Sequence, residues 1–230
     1  MNLIKPPNLL KGDKIAIVAT ARKINREEVE PAVEIIKNWG LEVVLGDNLF
    51  HADNQFAGTD NERTHDLQTM LDDNFVKAII VARGGYGTVR IIDKIDFTNF
   101  KKHPKWIVGY SDISVLHSHI HNLDIETLHA TMPINFKKNV EATESLRKAL
   151  FGESLNYSVE PFSLNKKGST IAQLVGGNLS LLYSLLGSKS DIDTQGKILF
   201  IEDLDEYLYH IDRMMMALKR AGKLNKLEDR

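Results

Sequence analysis

The sequence contains no cysteine. Disulfides, thiolate nucleophiles and cysteine-ligated zinc are therefore excluded. Long apolar runs are also missing: nothing approaches the roughly 20 apolar residues that a bilayer-spanning helix requires. The opening segment, MNLIKPPNLLKGDKIAIVAT, has no cationic stretch followed by a long apolar one, so no secretory leader is expected. Neither sign of charge is in excess, with 29 basic and 31 acidic residues. Without a basic block, nothing points to nucleic acid or to an anionic membrane surface. There is no internal repeat and no low-complexity tract. These absences leave a soluble cytoplasmic protein as the expectation. Its 230 residues suffice for one large domain or two ordinary ones with a real core.

What is present is a regular alternation. DKIAIVAT (13–20) is short, β-branched and apolar on both sides, which predicts a buried strand. Residues 26–38 place Val29, Val33 and Ile36 at helical spacing, with Pro31 near the first turn, where proline is tolerated. EVVLG (42–46) predicts the next strand. In TDNERTHDLQTMLDD (59–73), Thr59 or Asp60 is the expected helix cap and Leu67, Met70 and Leu71 form the apolar stripe. KAIIVARGGYG (77–87) is a strand entering a glycine-rich turn, followed by a short helix at 88–95. KWIVGY (105–110), DISVLHSHIHNL (112–123) and ETLHA (126–130) predict strand, helix and strand.

Strands alternating with helices imply α/β architecture, a parallel sheet of flavodoxin or Rossmann type covered on both faces. Ligands bind such sheets beyond the carboxyl ends of the strands. That directs attention to three loops: Thr20–Ile24, Arg83–Thr88 and Tyr110–Asp112. The pattern changes near residue 150. We expect an α/β domain over 1–150, a linker over 151–168 rich in Gly, Ser, Asn and Lys, and part of a second domain over 169–230. In that last part TIAQLVGGN (170–178) and GKILFIEDLDE (196–206) predict strands. Residues 179–187 and 209–224 predict helices.

Each candidate site residue has a plain structural reading beside the chemical one. Ser111, in VGYSDIS, sits where a strand turns sharply into a helix. That geometry exposes a nucleophile beside unpaired helix N–H groups, although the sequence is not G-x-S-x-G and a simple helix cap fits locally. The glycines of ARGGYGT (82–88) let backbone N–H groups approach a ligand or an oxyanion, or simply make a tight turn. The spacing is neither G-x-G-x-x-G nor a Walker loop. Glu202 and Asp203 end a strand, where an acid can orient a histidine, bind a metal or lie on an exposed edge. His117, His119 and His121 lack the glutamate of H-E-x-x-H and any third ligand nearby. They read as half-buried or exposed helix residues rather than a zinc site.

Taken in order, GDKIAIVATA, FAGTDNERTHDLQ, ARGGYG, VGYSDIS, LVGGNLSLL and LFIEDLDEYLYHIDRMM resemble the LD-carboxypeptidase family of serine peptidases over essentially the whole chain. That family includes muramoyltetrapeptide carboxypeptidases and microcin C self-immunity proteins. The resemblance implies an α/β domain joined to a C-terminal domain built largely on β structure, here incomplete, and a Ser–Glu–His triad. It places the nucleophile at Ser111 and the orienting carboxylate at Glu202. The oxyanion donors fall on the N–H groups of Gly85, with Gly84 second, and Asp112. Gly84 and Asn178 are the implied substrate contacts. No metal or organic cofactor is implied, and a homodimer is.

The resemblance also implies a catalytic histidine well downstream of Glu202, and no such position falls within 1–230. His210 does not substitute, because it stands where relatives carry a basic residue. The expectation is a C-terminally shortened chain of weak or absent activity, whose longer version releases terminal D-alanine from murein tetrapeptides during peptidoglycan recycling. Two alternatives stand beside it: a microcin C-type peptidyl-nucleotide hydrolase, and a non-catalytic module that binds a peptide or carboxylate.

Overall fold

The computed structural model describes residues 3–228. Five strands make one all-parallel sheet: β1 (Lys14–Val18), β2 (Glu42–Leu45), β3 (Val76–Val81), β4 (Trp106–Gly109) and β5 (Leu128–His129). Their order is β2-β1-β3-β4-β5, the flavodoxin-type arrangement. Successive side chains on a strand point to opposite faces. Ala16, Val18, Ile79 and Val81 accordingly enter one core, whereas Ile15, Ile17, Ala78 and Ile80 enter the other. Both faces are covered, which is why these strands read as continuous apolar runs rather than alternating ones.

Helices α1 (Arg26–Asn38), α2 (Asp60–Asp72), α3 (Thr88–Ile91), α4 (Thr98–Lys102), α5 (Ser114–His121) and α6 (Val140–Phe151) surround the sheet. Thr59 is the α2 cap: its hydroxyl accepts from Glu62 N, and the Glu62 carboxylate accepts from Thr59 N at 2.7 Å. The Thr59 N–H first, then the His51 ring and the Thr59 hydroxyl, hold the Glu62 carboxyl down at about 2. The predicted helix over 88–95 divides into α3 and a 3-10 turn at Ile92–Lys94. That over 112–123 begins with a 3-10 turn at Ser111–Ile113. Helix α6 lay in sequence to which no element was assigned. Asn139 caps it through Ala142 N at 2.9 Å, and Thr143, Leu146 and Leu150 face the core.

Residues 152–173 form no helix or strand. Beyond them, β6 (Leu174–Asn178) and β7 (Ile198–Glu202) pair in parallel, with Asn178 opposite Glu202. Helix α7 (Leu179–Ser184) makes the crossover such a pair requires, and α8 (Leu208–Arg220) follows. Val175, Leu179, Leu182, Ile192, Met214 and Leu218 form their own small core. This second unit seats on α5. The Ser114 hydroxyl accepts from Asn178 N at 3.0 Å, His119 pairs with Ser190 Oγ at 2.9 Å, and the Asn122 amide donates to Asp191 O at 3.1 Å. At Gly177 (φ +146) the chains run so close that a Cβ would lie 2.5 Å from Ser114 Oγ, so only glycine fits. None of the helices among the described residues is long and apolar enough to cross a membrane.

Candidate active site

The loops after β1, β3 and β4 meet at one sheet edge. The chain leaves β1 and β3 in diverging directions, and the crevice this opens is where doubly wound sheets bind ligands. A buried chain of hydrogen bonds fixes the three loops. The Asp112 carboxylate accepts from Thr88 N at 2.9 Å. Thr88 Oγ1 pairs with Thr20 Oγ1 at 2.7 Å, and Thr20 O accepts from Arg63 Nε at 3.1 Å. Arg63, almost wholly buried, donates also to Gly58 O and is paired with Asp60, which Arg90 grips from the other side. Arg90 first, then Arg63, holds the Asp60 carboxyl below its ordinary range. The segment FAGTDNERTHDLQ, to which no chemistry could be assigned in sequence, thus braces the β1 loop.

Ser111 lies at the centre. Its φ of +61 is left-handed, a conformation that L residues rarely hold without a surrounding structure that enforces it. Such a strained strand-to-helix turn is the form in which hydrolases expose a serine. The Ser111 hydroxyl makes no hydrogen bond among the described residues. Gly84 lies against it: a Cβ there would stand 3.3 Å from Ser111 Cβ and 3.4 Å from Oγ. Gly85 follows at φ +123, and neither its N–H nor that of Asp112 donates a backbone hydrogen bond among the described residues. The Asp112 side chain is fully buried. Burial pushes its carboxyl upward against the Thr88 hydrogen bond, and Oδ1 has no partner.

The β6–β7 pair brings Asn178 and Glu202 toward the same region through the Ser114 contact. Glu202 Oε1 is buried and lacks a hydrogen-bond partner. Burial, then the neighbouring Asp203 charge, raises this carboxyl, while the Asn178 side chain works the other way. The histidine facing it is His129, with Nε2 at 3.9 Å, beyond hydrogen-bond range. His129 was not singled out in sequence. It lies at the end of β5, between the rings of Tyr110 and Phe200, and burial depresses its pKa. Asn178 is largely buried: its Oδ1 accepts from Leu181 N and Ser180 Oγ, and its amide donates to Asp203 Oδ1 at 3.1 Å. It caps α7 as well as flanking Glu202. His210 is paired with Glu206, one turn away on its own helix, and not with Glu202.

His117 departs from the half-buried or exposed setting expected for it. It is buried, and its pKa falls to about 4, chiefly through burial. One ring nitrogen pairs with Thr127 Oγ1 at 2.8 Å and the other with Gly109 O at 2.9 Å. Both nitrogens are thereby committed, and the carbonyl two residues before Ser111 is held in place. Two cavities adjoin the site. One of about 400 Å³ is lined by Tyr110, His129, Asn135 and Lys138, and one of about 640 Å³ between β5 and β6 reaches His129 and Phe200.

Fold and geometry together describe a parallel α/β protein with a serine mounted on a strained strand–helix turn beside a two-glycine loop. The profile of the LD-carboxypeptidase N-terminal domain matches residues 15–130, and that of the LD-carboxypeptidase C-terminal domain matches 172–228. The chain belongs to the LD-carboxypeptidase family, peptidase family S66, and is a hydrolase of the carboxypeptidase class. It is 43% identical over 227 residues to the "Probable murein peptide carboxypeptidase" of Bacillus subtilis, an alignment covering 96% of this chain and 71% of that protein. The murein tetrapeptide carboxypeptidase of Pseudomonas aeruginosa is 26% identical over 218 residues, covering 89% and 71%. Among solved structures, the muramoyltetrapeptide carboxypeptidase of Oxalobacter formigenes superposes with a TM-score of 0.82 at 27% identity, covering 93% of this chain and 74% of that one. The MccF-like protein of Bacillus anthracis also scores 0.82, at 21% identity, with coverage of 97% and 78%. That likeness speaks to the fold alone.

Proposed function

We propose that the chain acts on murein tetrapeptides and cleaves the L,D bond that releases terminal D-alanine. Ser111 Oγ adds to the carbonyl of that bond. A histidine base takes the serine proton and returns it to the departing D-alanine amine, leaving a seryl ester that water then hydrolyses. The Gly85 and Asp112 N–H groups receive the oxyanion, Gly84 leaves room for substrate against the serine, and Asn178 aligns Glu202 or the peptide. Glu202 orients the histidine and stabilises its charged form. No metal or organic cofactor enters these steps. The observation that carries the reading is the left-handed Ser111 (φ +61) with a free hydroxyl, pressed against Gly84. The buried, unpartnered Oε1 of Glu202 adds support, since such an atom calls for a donor.

The base is not a histidine that hydrogen-bonds Ser111 among the described residues, and His210 is already engaged by Glu206. The same reading assigns 1–150 to the domain bearing the nucleophile, 151–168 to a linker and 169–230 to the part bearing Glu202. It places the enzyme in the cytoplasm as a homodimer. The exposed apolar side chains of Leu204, Tyr207, Leu208 and Tyr209 are consistent with an interface. D-alanine release from a murein tetrapeptide tests the reaction, assayed on this chain and on a version extended to the length of the B. subtilis relative. Activity in the extended form that vanishes in Ser111→Ala is the expected result. Turnover that survives Ser111→Ala would sink the assignment, and sedimentation as a monomer would sink the dimer.

A further inference from the structure

A carboxypeptidase must distinguish a chain terminus from an internal residue. The distinguishing feature is a carboxylate one residue beyond the scissile carbonyl. A desolvated carboxylate needs a cationic partner, and arginine offers the paired donors that match it.

The crevice holds one arginine suited to this task. Arg22 lies on the loop after β1, and its stem covers Gly85. A Cβ on Gly85 would stand 3.0 Å from Arg22 Cβ and 3.6 Å from its Cδ. The Arg22 backbone is clamped on both sides: Ala57 N donates to Ala21 O and Lys23 N to Gln55 O, both at 3.0 Å, and Arg22 bridges Phe56. The stem is thus fixed while the side chain is exposed, and its guanidinium makes no hydrogen bond or ion pair among the described residues. Its arginine neighbours are all committed. Arg83 reaches Lys23 O and Glu28, Arg90 is bidentate on Asp60, and Arg63 is buried in the loop brace. Gly84 lies against Ser111 and Gly85 against the Arg22 stem, so successive glycines of one turn carry the serine and the base of the arginine side chain.

We propose that Arg22 is the specificity-determining residue that binds the α-carboxylate of the D-amino acid to be released. This rests on the reading of Ser111 as nucleophile and Gly85 as oxyanion donor. With the scissile oxygen at Gly85 N–H, the following residue of the peptide crosses the glycine turn toward the β1 loop, and its carboxylate meets the guanidinium. Arg22 then sets which peptides are accepted without taking part in bond making. An internal peptide or an amidated terminus leaves the cation without its partner.

Binding tests this independently of turnover. Ser111→Ala protein is titrated by fluorescence anisotropy with a labelled murein tetrapeptide ending in D-alanine, either as the free acid or as the amide. The acid is expected to bind about 10- to 100-fold tighter, the range of a charge-assisted pair. Adding Arg22→Gln lowers acid affinity to that of the amide and leaves amide affinity unchanged, and Arg22→Lys restores part of the preference. Lys138→Gln, which alters the other cation near Tyr110 and His129, leaves the preference intact. A preference that survives Arg22→Gln, or that disappears with Lys138→Gln, overturns the proposal while the murein reading stands. If neither peptide binds, the murein reading fails and this inference falls with it.

Discussion

Replacing Asp112 with alanine removes the acceptor that ties the nucleophile turn to the glycine turn. The carboxylate takes the N–H group of Thr88 in a fully buried setting. A buried amide left without a partner costs about 1–3 kcal/mol, so Asp112→Ala is expected to destabilise the fold by about that much. At about 2–4 °C per kcal/mol for a chain of this size, Tm falls by roughly 2–12 °C. Asp112→Asn behaves differently. Its carbonyl can replace Oδ2, its amide falls where Oδ1 already lacks a partner, and the cost of burying a charge is relieved. That variant is expected within about 1 kcal/mol of the parent. Because burial raises the Asp112 pKa in the folded state, the protonated acid is the form the fold prefers. Its contribution is therefore greatest below the ordinary carboxyl pKa and falls as pH rises through the folded one. Urea denaturation of the three proteins from pH 4 to pH 8 measures all of this. An alanine variant within 0.5 kcal/mol of the parent, or an asparagine variant as damaged as the alanine one, would refute the reasoning.

His117 titrates the other way. Its folded pKa, lowered from 6.5 to about 4, means the neutral ring is preferred. Its contribution, on the order of 3 kcal/mol by linkage, is complete above pH 6.5 and is lost as pH falls toward 4. Urea midpoints of His117→Gln should lose that part of the acid sensitivity, and an unchanged pH profile would show the ring is not buried neutral. Gly177→Ala puts a methyl group 2.5 Å from Ser114 Oγ and is expected to cost about 1–3 kcal/mol by overpacking. The effect should be concentrated in the contact between α5 and β6. Hydrogen exchange at Asn178 N–H reads that contact directly, and protection equal to the parent's would contradict it.

The parts of the fold legible in sequence were those whose signal is local. The β1, β3 and β4 runs are apolar on both sides because both faces are covered, and the glycine turn and the serine turn follow such runs directly. Helix α6 had its signals in place, with Asn139 before it and Gly152 after it, but its buried face is only Thr143, Leu146 and Leu150 in an otherwise polar segment. The short helix α4 has a single buried apolar residue, Phe100, too little to show a period. The site was legible residue by residue and illegible as an assembly. Nothing local to Asp112 indicates that its carboxylate is spent on Thr88, or that Arg63 fastens a loop 43 positions earlier in the chain. The burial of His117 has no local signal, because a histidine among serines and histidines gives no apolar period, although its ring hydrogen-bonds the Gly109 carbonyl. His129 was overlooked because its relation to Glu202 spans two sheets.

That separation between sheets bears on how the chemistry can be organised. Ser111 is held by the large sheet, through β4, His117 and the Asp112–Thr88–Thr20 chain. Glu202 is held by the small sheet, opposite Asn178. Helix α5 is common to both: it begins three residues after Ser111, and its first residue accepts the Asn178 N–H. A shift of the small sheet along α5 would therefore move Glu202 relative to Ser111 while leaving the oxyanion donors where they are. Reactivity that depends on the nucleophile and donors alone should tolerate such a shift, whereas reactivity that needs the carboxylate should not. The bare glycine at 177 is the feature that fixes this register, since any side chain there would push the small sheet away from the helix that follows the nucleophile turn.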